Sequence, residues 1–128
     1  MNTKTQKIVS GVGIPALLEQ TAEESLELGI ACLKLARKIR NENPTPKPLN
    51  DILANLNEEI GDVVNCVNLI LEIDLADNNL VDLEMRDKMS RWATRLENMK
   101  YLESDEDPEL RRVILLMDKI YAKLEKGE

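Results

Sequence analysis

Residues 50–73, NDILANLNEEIGDVVNCVNLILEI, decide the fold class of this chain. Their apolar residues recur every three or four positions, which is the period of an α-helix with one buried face. The buried stripe predicted for this helix consists of Ile52, Leu56, Ile60, Val63, Val67 and Ile70. No stretch of the sequence alternates apolar and polar residues as a half-buried strand would. The sequence therefore predicts an all-α protein.

The same period predicts three further helices, over residues 15–40, 81–102 and 108–124. Pro44, Pro46 and Pro48 end the first of them, and Pro108 begins the last with Asp107 as its N-cap. The stripe of the first helix comprises Leu17, Thr21, Leu28, Cys32, Leu35 and Ile39, and that of the third comprises Met85, Met89, Trp92, Leu96 and Met99. Four amphipathic helices predict a four-helix bundle or a similar arrangement, preceded by a flexible tail over residues 1–13.

Composition excludes several classes of function. The chain of 128 residues has no histidine, which excludes His-ligated zinc and a histidine general base. Its net charge of −7 disfavours a general nucleic-acid binder, which needs a basic surface. No signal peptide or membrane-spanning apolar run is present, and Cys32 and Cys66 lie within apolar patterns as reduced core residues would. We therefore expect a cytoplasmic protein with no membrane or nucleic-acid partner.

Two acidic motifs repeat on the first two helices, EESLEL at residues 23–28 and EEIGDV at residues 58–63. Within each motif two carboxylates stand three residues apart, so that they share a helix face. Glu24, Glu27, Glu59 and Asp62 border equivalent apolar stripes on the same flank. Like charges at the edge of a core repel each other unless cations compensate them, and carboxylate oxygens suit Mg²⁺, with Mn²⁺ as a possible substitute. The alternative is an acidic scaffold held by salt bridges.

Basic residues follow the acidic ones along the chain. Residues 49–85 contain nine acidic and no basic residues, whereas residues 86–101 contain five basic and two acidic ones. Lys88, Arg91 and Arg95 occupy the corresponding flank of the third helix, where we expect them to bind phosphates. The alternative is that they pair with acids such as Glu84 and Glu97 along their own helix.

Segments 21–28 and 58–64 resemble the paired E-x-x-E and E-x-x-D motifs of the MazG-like, all-α nucleoside triphosphate pyrophosphohydrolases. The resemblance covers about residues 17–96 and includes Lys88 followed by Met89. It implies a Mg²⁺-dependent enzyme that cleaves a (d)NTP to (d)NMP and pyrophosphate, in nucleotide-pool housecleaning, and that forms a dimer or tetramer. Residues 14–103 would be the catalytic domain. Residues 104–128 would add a helix that belongs to the same domain or forms the oligomer.

The resemblance also implies roles for individual residues. The metal ligands would be Glu24, Glu27, Glu59 and Asp62, and the triphosphate would be bound by Lys88, with Arg91 or Arg95. Glu23 and Glu58 would orient water, and either Glu23 or Glu27 would accept its proton. The pocket for the base or sugar would include Gln20, Asn65 and Trp92.

Two other classes of function are alternatives to an enzyme. A non-catalytic helical module that oligomerises or binds a partner would have the same composition, with its acids paired to bases. A helical transcription factor is disfavoured by the acidic charge and by the lack of a basic recognition helix.

Overall fold

The computed structural model describes residues 2–41, 45–98 and 108–127, and this part of the chain contains five α-helices and no strand. The helices are α1 (Thr3–Val12), α2 (Ile14–Arg40), α3 (Leu49–Glu72), α4 (Asn78–Asn98) and α5 (Pro108–Glu125). The all-α prediction is confirmed, and the four expected helices begin and end within a turn of their predicted bounds wherever those bounds are described. The predicted cap at Asp107, the breaker Pro44 and the stripe residue Met99 lie outside the described residues. None of the described helices has the length and apolarity needed to cross a lipid bilayer.

Residues 1–13 were expected to form a flexible tail, but they contain α1. The side chain of Asn2 caps this helix by accepting a hydrogen bond from the Thr5 amide at 3.0 Å. The Thr5 hydroxyl donates to the Glu72 carboxylate at 2.6 Å, and the Asn2 amide donates to the same carboxylate at 2.7 Å. The prediction missed this helix because the contacts that hold it are polar and are made with the distant end of α3.

We expect Thr5→Val to release α1 from α3. The Thr5 hydroxyl, followed by the Asn2 amide, holds the pKa of Glu72 below its ordinary value. The contribution of Glu72 to stability is therefore present above the pKa of the unfolded chain and is lost as the pH falls through the lower folded value. At neutral pH we expect trypsin to cut after Lys4 and Lys7 about fivefold faster in the variant, as loss of one hydrogen bond would allow. Thr3→Val, at an exposed position of α1, is the control, and equal cleavage of both variants would contradict this role for Thr5.

α2 and α3 form an antiparallel hairpin that holds most of the interhelical contacts. α2 ends at Asn41, which takes the left-handed conformation with φ of 54°. Lys38 Nζ then donates to the carbonyl oxygens of Thr45 at 3.3 Å and Lys47 at 3.0 Å, which fixes the return of the chain. The buried apolar residues of these two helices are Leu17 and Ala31 on α2 and Ile52 and Cys66 on α3. α5 also contacts α2, and its Ile120 is buried.

The contact between α2 and α3 is rotated relative to the predicted stripes. At 100° per residue, the buried positions lie roughly 50° from the centre of each stripe, on the side that carries the acids. Cys32, Ile60 and Val67, which were predicted to be buried, are exposed as a result. The prediction failed there because each stripe is wider than the surface that one neighbouring helix covers.

α4 leaves the hairpin through a turn defined by hydrogen bonds. Asp74 has a φ of 56°, and the Leu75 amide donates back to the carbonyl of Ile70 at 3.2 Å. Asp77 Oδ1 then caps α4 by accepting from the amides of the next helical turn, at 2.9 and 3.0 Å. Within the described part of the chain, α4 makes at most marginal contact with any other helix. Most of its predicted buried stripe is consequently exposed, with Met85, Met89 and Trp92 all more than 60% accessible, whereas Leu96 is half-buried.

Candidate metal centre

Three of the four predicted metal ligands converge between α2 and α3. One carboxylate oxygen from each of Glu24, Glu27 and Glu59 lies within 4.8 Å of the other two. Glu24 and Glu59 are half-buried, whereas Glu27 is exposed at the edge of the hairpin. The contact between the helices is rotated toward the side that carries the acids, which explains this arrangement. It brings Glu24 and Glu59, the second glutamate of each motif and here called the inner glutamates, to the interface. The three acids thus form an oxygen-rich group built from two helices.

Glu59 has the least satisfied carboxylate of the three. Its Oε1 accepts a hydrogen bond from Asn55 Nδ2 at 3.1 Å. Its Oε2 is shielded from solvent and has no hydrogen-bond partner among the described residues. A buried carboxylate oxygen without a partner is costly, and a cation beside it would supply the missing interaction. Three carboxylates are ligands of the kind that a hard cation such as Mg²⁺ takes, so the residues fit this metal.

Electrostatic repulsion within the group acts most strongly on Glu27. The neighbouring Glu24 carboxylate raises the pKa of Glu27 above its ordinary value, and the charge of Glu59, loss of hydration and a contact with Glu59 raise it further. Glu23 adds the smallest of the contributions that raise this pKa. Ionisation of Glu27 therefore costs more in the folded protein than in the unfolded chain, and a bound cation would reduce that cost.

We expect Glu27→Gln to change how the stability of the metal-free protein depends on pH. Because the folded pKa of Glu27 is raised, its contribution is most favourable below the ordinary glutamate pKa and is lost as the pH rises through the raised value. The variant should lack this loss, so its melting temperature in EDTA should equal or exceed that of the unmodified chain at neutral pH. Glu125→Gln, on α5, is the control. A variant that melts lower at neutral pH would show that Glu27 is a structural partner instead.

Two amide side chains support the inner glutamates. Gln20 Nε2 donates to Glu24 Oε1, as Asn55 donates to Glu59. Gln20, which was assigned to the base pocket, therefore lies against a candidate metal ligand, and Asn55 was not predicted at all. The sequence did contain the signal, because each amide precedes its glutamate by four residues and so lies one helical turn away.

The remaining acidic and polar candidates on α2 and α3 lie outside the group of three. Asp62 follows Glu59 by one turn of α3 and is half-buried, but it does not belong to this convergent group. Glu23, Glu58 and Asn65 are exposed. The structure therefore brings together Glu24, Glu27 and Glu59 from the predicted set.

The basic residues lie on α4, apart from the hairpin. Lys88, Arg91 and Arg95, together with Trp92, line an open groove of about 410 Å³ on this helix. Lys88 lies 4.0 Å from Glu84, and Arg91 lies 3.0 Å from Asp87, so both pair along their own helix. Since α4 makes at most marginal contact with the other described helices, the described chain does not bring these cations against its own core. The helical period determines which residues share a face of α4. The turn over residues 73–77 determines the direction of α4 relative to the hairpin, and therefore what that face meets.

Comparison of the chain with protein-family models, with curated proteins and with solved structures gave no match in any of the three.

Proposed function

We propose that this protein is a MazG-like, Mg²⁺-dependent nucleoside triphosphate pyrophosphohydrolase that converts a (d)NTP to (d)NMP and pyrophosphate. The observation that carries the proposal is the convergence of Glu24, Glu27 and Glu59 around the unpartnered Oε2 of Glu59. This arrangement supports a divalent cation, and a divalent cation held by carboxylates commonly serves a phosphate substrate. Nucleotide-pool housecleaning in the cytoplasm is the role that we propose for the activity.

The residues of the chain would divide the work of hydrolysis. A bound Mg²⁺ would neutralise phosphate charge and polarise the phosphoryl oxygens. Glu24, Glu27 and Glu59 would hold it, with Asp62 completing the set. The oxygen of a water molecule bonds to the α-phosphorus, the bond from that phosphorus to the bridging oxygen breaks, and pyrophosphate leaves with that oxygen. The proton of the water passes to a carboxylate, for which Glu23 and Glu27 are the two candidates.

Hydrogen bonds along α2 and α3 would keep this group in place. Gln20 and Asn55 each hold one oxygen of an inner glutamate, so that the second oxygen of each points away from the amide. Positioned acceptors of this kind contribute to catalysis because they need no rearrangement when the substrate binds. Glu23 is exposed, so a proton that it accepted would pass readily to solvent.

The proposal includes the assembly and the substrate contacts. A four-helix bundle-like arrangement, completed in a homodimer or homotetramer, would cover the apolar faces that α3 and α4 leave exposed. Lys88, with Arg91 or Arg95, would bind the triphosphate once α4 is docked. Asn65 and Trp92 would contribute to the pocket for the sugar and base. The net charge of −7 supports a protein without a nucleic-acid partner.

A panel of canonical and modified ribonucleoside and deoxyribonucleoside triphosphates tests the activity. We expect Mg²⁺-dependent release of pyrophosphate from at least one of them, no release in EDTA, and recovery with Mn²⁺. Thermal melting with and without Mg²⁺ provides a separate measure of cation binding, since a ligand that binds the folded state raises its melting temperature. If no triphosphate yields pyrophosphate and Mg²⁺ does not change the melting temperature, the proposal is wrong.

A second candidate is a non-catalytic helical module that assembles with itself or with another protein. The intrahelical pairs of Lys88 with Glu84 and Arg91 with Asp87 favour it, because they occupy the cations that the enzyme would need. The exposed apolar side chains of α4 favour it too. Such a module would assemble without releasing pyrophosphate, and its melting temperature would be the same in Mg²⁺ and in EDTA.

A further inference from the structure

α3 carries a second apolar face beside its contact with α2. Ile60, Val64 and Val67 form this face and are 44%, 48% and 38% exposed. They project roughly 105° around the helix axis from Ile52 and Cys66, which are buried. The hairpin therefore leaves one long side of α3 available for packing with a further helix.

α4 carries an apolar face of the same spacing. Its exposed side chains Met85, Met89 and Trp92 are separated by four and then three residues, as are Ile60, Val64 and Val67 on α3. Intervals of four and three place side chains in one line along a helix, as in the contact between two paired helices. The two faces are thus alike in length and pattern, and they lie on consecutive helices of one chain.

The connection between α3 and α4 leaves their relative direction free of hydrogen bonds from one helix to the other. The amides of Asp74 and Leu75 donate to carbonyl oxygens in the last turn of α3, at 3.1 and 3.2 Å, which is the Schellman arrangement that ends a helix. The side chain of Asp77 caps the first turn of α4. Each cap serves its own helix, so the direction of α4 depends on the few backbone torsions at residues 75–76. Short segments at the ends of helices are the usual hinges of moving elements.

An antiparallel fold at this turn makes the two faces interdigitate. Glu72, the last residue of α3, is then level with Asn78, the first residue of α4. Counting away from the turn on both helices gives the order of the side chains along the common axis, which is Val67, Met85, Val64, Met89, Ile60 and Trp92. This order alternates between the helices, so each side chain of one helix meets a gap in the other. Connections of two to five residues commonly join antiparallel helices in this way.

The same fold turns the basic edge of α4 toward the acidic group. Lys88, Arg91 and Arg95 lie roughly 70–130° to one side of the apolar face of α4. In the antiparallel pair this edge lies on the side of α3 that carries α2. Counting from the turn brings the three cations level with residues 55–62 of α3, which include Glu59. Closure therefore moves the cations toward carboxylates in a stretch, residues 49–85, that has no basic residue of its own.

The present ion pairs of α4 do not oppose this movement. Lys88 and Arg91 pair with Glu84 and Asp87 one turn away, and all four side chains are more than half exposed. Exposed pairs of this kind contribute little, and a helix carries them with it when it moves as a unit. The apolar faces would leave water on closure, which supplies the driving force.

We propose that α4 is a lid, which swings about residues 75–76 and packs Met85, Met89 and Trp92 on the second apolar face of α3 in the same chain. The structure described above is its open form. In the closed form the basic edge of α4 faces the group of Glu24, Glu27 and Glu59 and limits the access of solvent to it. The use of the lid to enclose a substrate rests on the proposed function, whereas the closure needs no nucleotide and is tested without one.

The fluorescence of Trp92 tests the packing, because Trp92 is the only tryptophan of the chain. Its emission maximum should lie at a shorter wavelength in the unmodified chain than in Ile60→Asp, which places a charge in the face that receives the lid. Leu26→Asp, at an exposed position on α2, is the control and should emit as the unmodified chain does. Dilution should leave the emission unchanged, since the contact lies within one chain. Equal emission from the unmodified chain and Ile60→Asp, or emission that changes with dilution, would overturn the proposal.

An intrachain disulfide tests the register. In a Cys32→Ser, Cys66→Ala background, Ile60→Cys with Met89→Cys should close under mild oxidation without a doubling of mass, because the two positions come within one residue of the same level. Ile60→Cys with Ser90→Cys is the control, since Ser90 is level with Ile60 but projects roughly 130° away from the apolar face of α4. The first pair should oxidise about tenfold faster, because closure raises the effective concentration of one thiol at the other. Equal rates for the two pairs, or cross-links that form only between chains, would show that α4 does not close on α3.

Discussion

Glu59→Gln is expected to abolish pyrophosphate release and to leave the metal-free protein folded. Oε2 of Glu59 is the shielded oxygen without a partner, so the substitution removes both a charge and the acceptor that the cation needs. We expect kcat/KM to fall by about 100-fold or more, as for loss of a group that holds a metal. The melting temperature in EDTA should stay the same or rise, because repulsion with Glu24 and Glu27 is relieved.

The control for this substitution is Asp51→Asn, an exposed acid in the first turn of the same helix. It should keep full activity and the same response of the melting temperature to Mg²⁺. Loss of helical dichroism in metal-free Glu59→Gln would identify Glu59 as a structural residue. Full activity in that variant would remove the metal centre from the proposed mechanism.

Lys88→Met is expected to lower kcat/KM by roughly 10- to 100-fold with little change in melting temperature. The ion pair of Lys88 with Glu84 is long, at 4.0 Å, and both side chains are largely exposed, so it contributes little to stability. A contact with the triphosphate would therefore appear in the kinetics alone. Steady-state assays with the preferred nucleotide, alongside thermal melting, measure the two effects separately.

Arg86→Met is the matched control, because Arg86 makes the same kind of intrahelical pair, with Asp82, on the other side of α4. It should leave turnover unchanged. If Lys88→Met also keeps the unmodified turnover on every triphosphate, the basic residues of α4 form a solvated helix face. Equal losses in both variants would mean that α4 acts through its overall charge.

The sequence predicted the helices and the inner acids because both depend on local spacing. The three-to-four-residue period located α2 and α3 within a residue or two, and the matched motifs put Glu24 and Glu59 at equivalent positions. In the hairpin formed by these helices, Glu24 and Glu59 come together and Glu27 joins them. Asp62, which the motif match makes the equivalent of Glu27, does not, so the motif spacing predicted three of the four positions.

Features that depend on contacts between distant segments could not be predicted in this way. α1 is held by Glu72, which lies 67 residues after Thr5 in the chain. Which side of each stripe is buried depends on how α2 and α3 pack against each other. Cys32 was predicted to be buried but is exposed for that reason. The exposure of Met89 follows from the direction in which the turn after α3 sends α4, which no periodicity encodes.

The isolation of α4 has a consequence for how the molecule opens. Most of the stability of a protein helix comes from packing against its neighbours, and the described residues provide almost none for Asn78–Asn98, so its amides are weakly protected from exchange. α4 is therefore a cooperative unit of its own, with a lower opening free energy than the hairpin. Any partner that binds the face formed by Met85, Met89 and Trp92 would stabilise the helical form of α4. The helical fraction of this segment should therefore rise with the concentration of that partner.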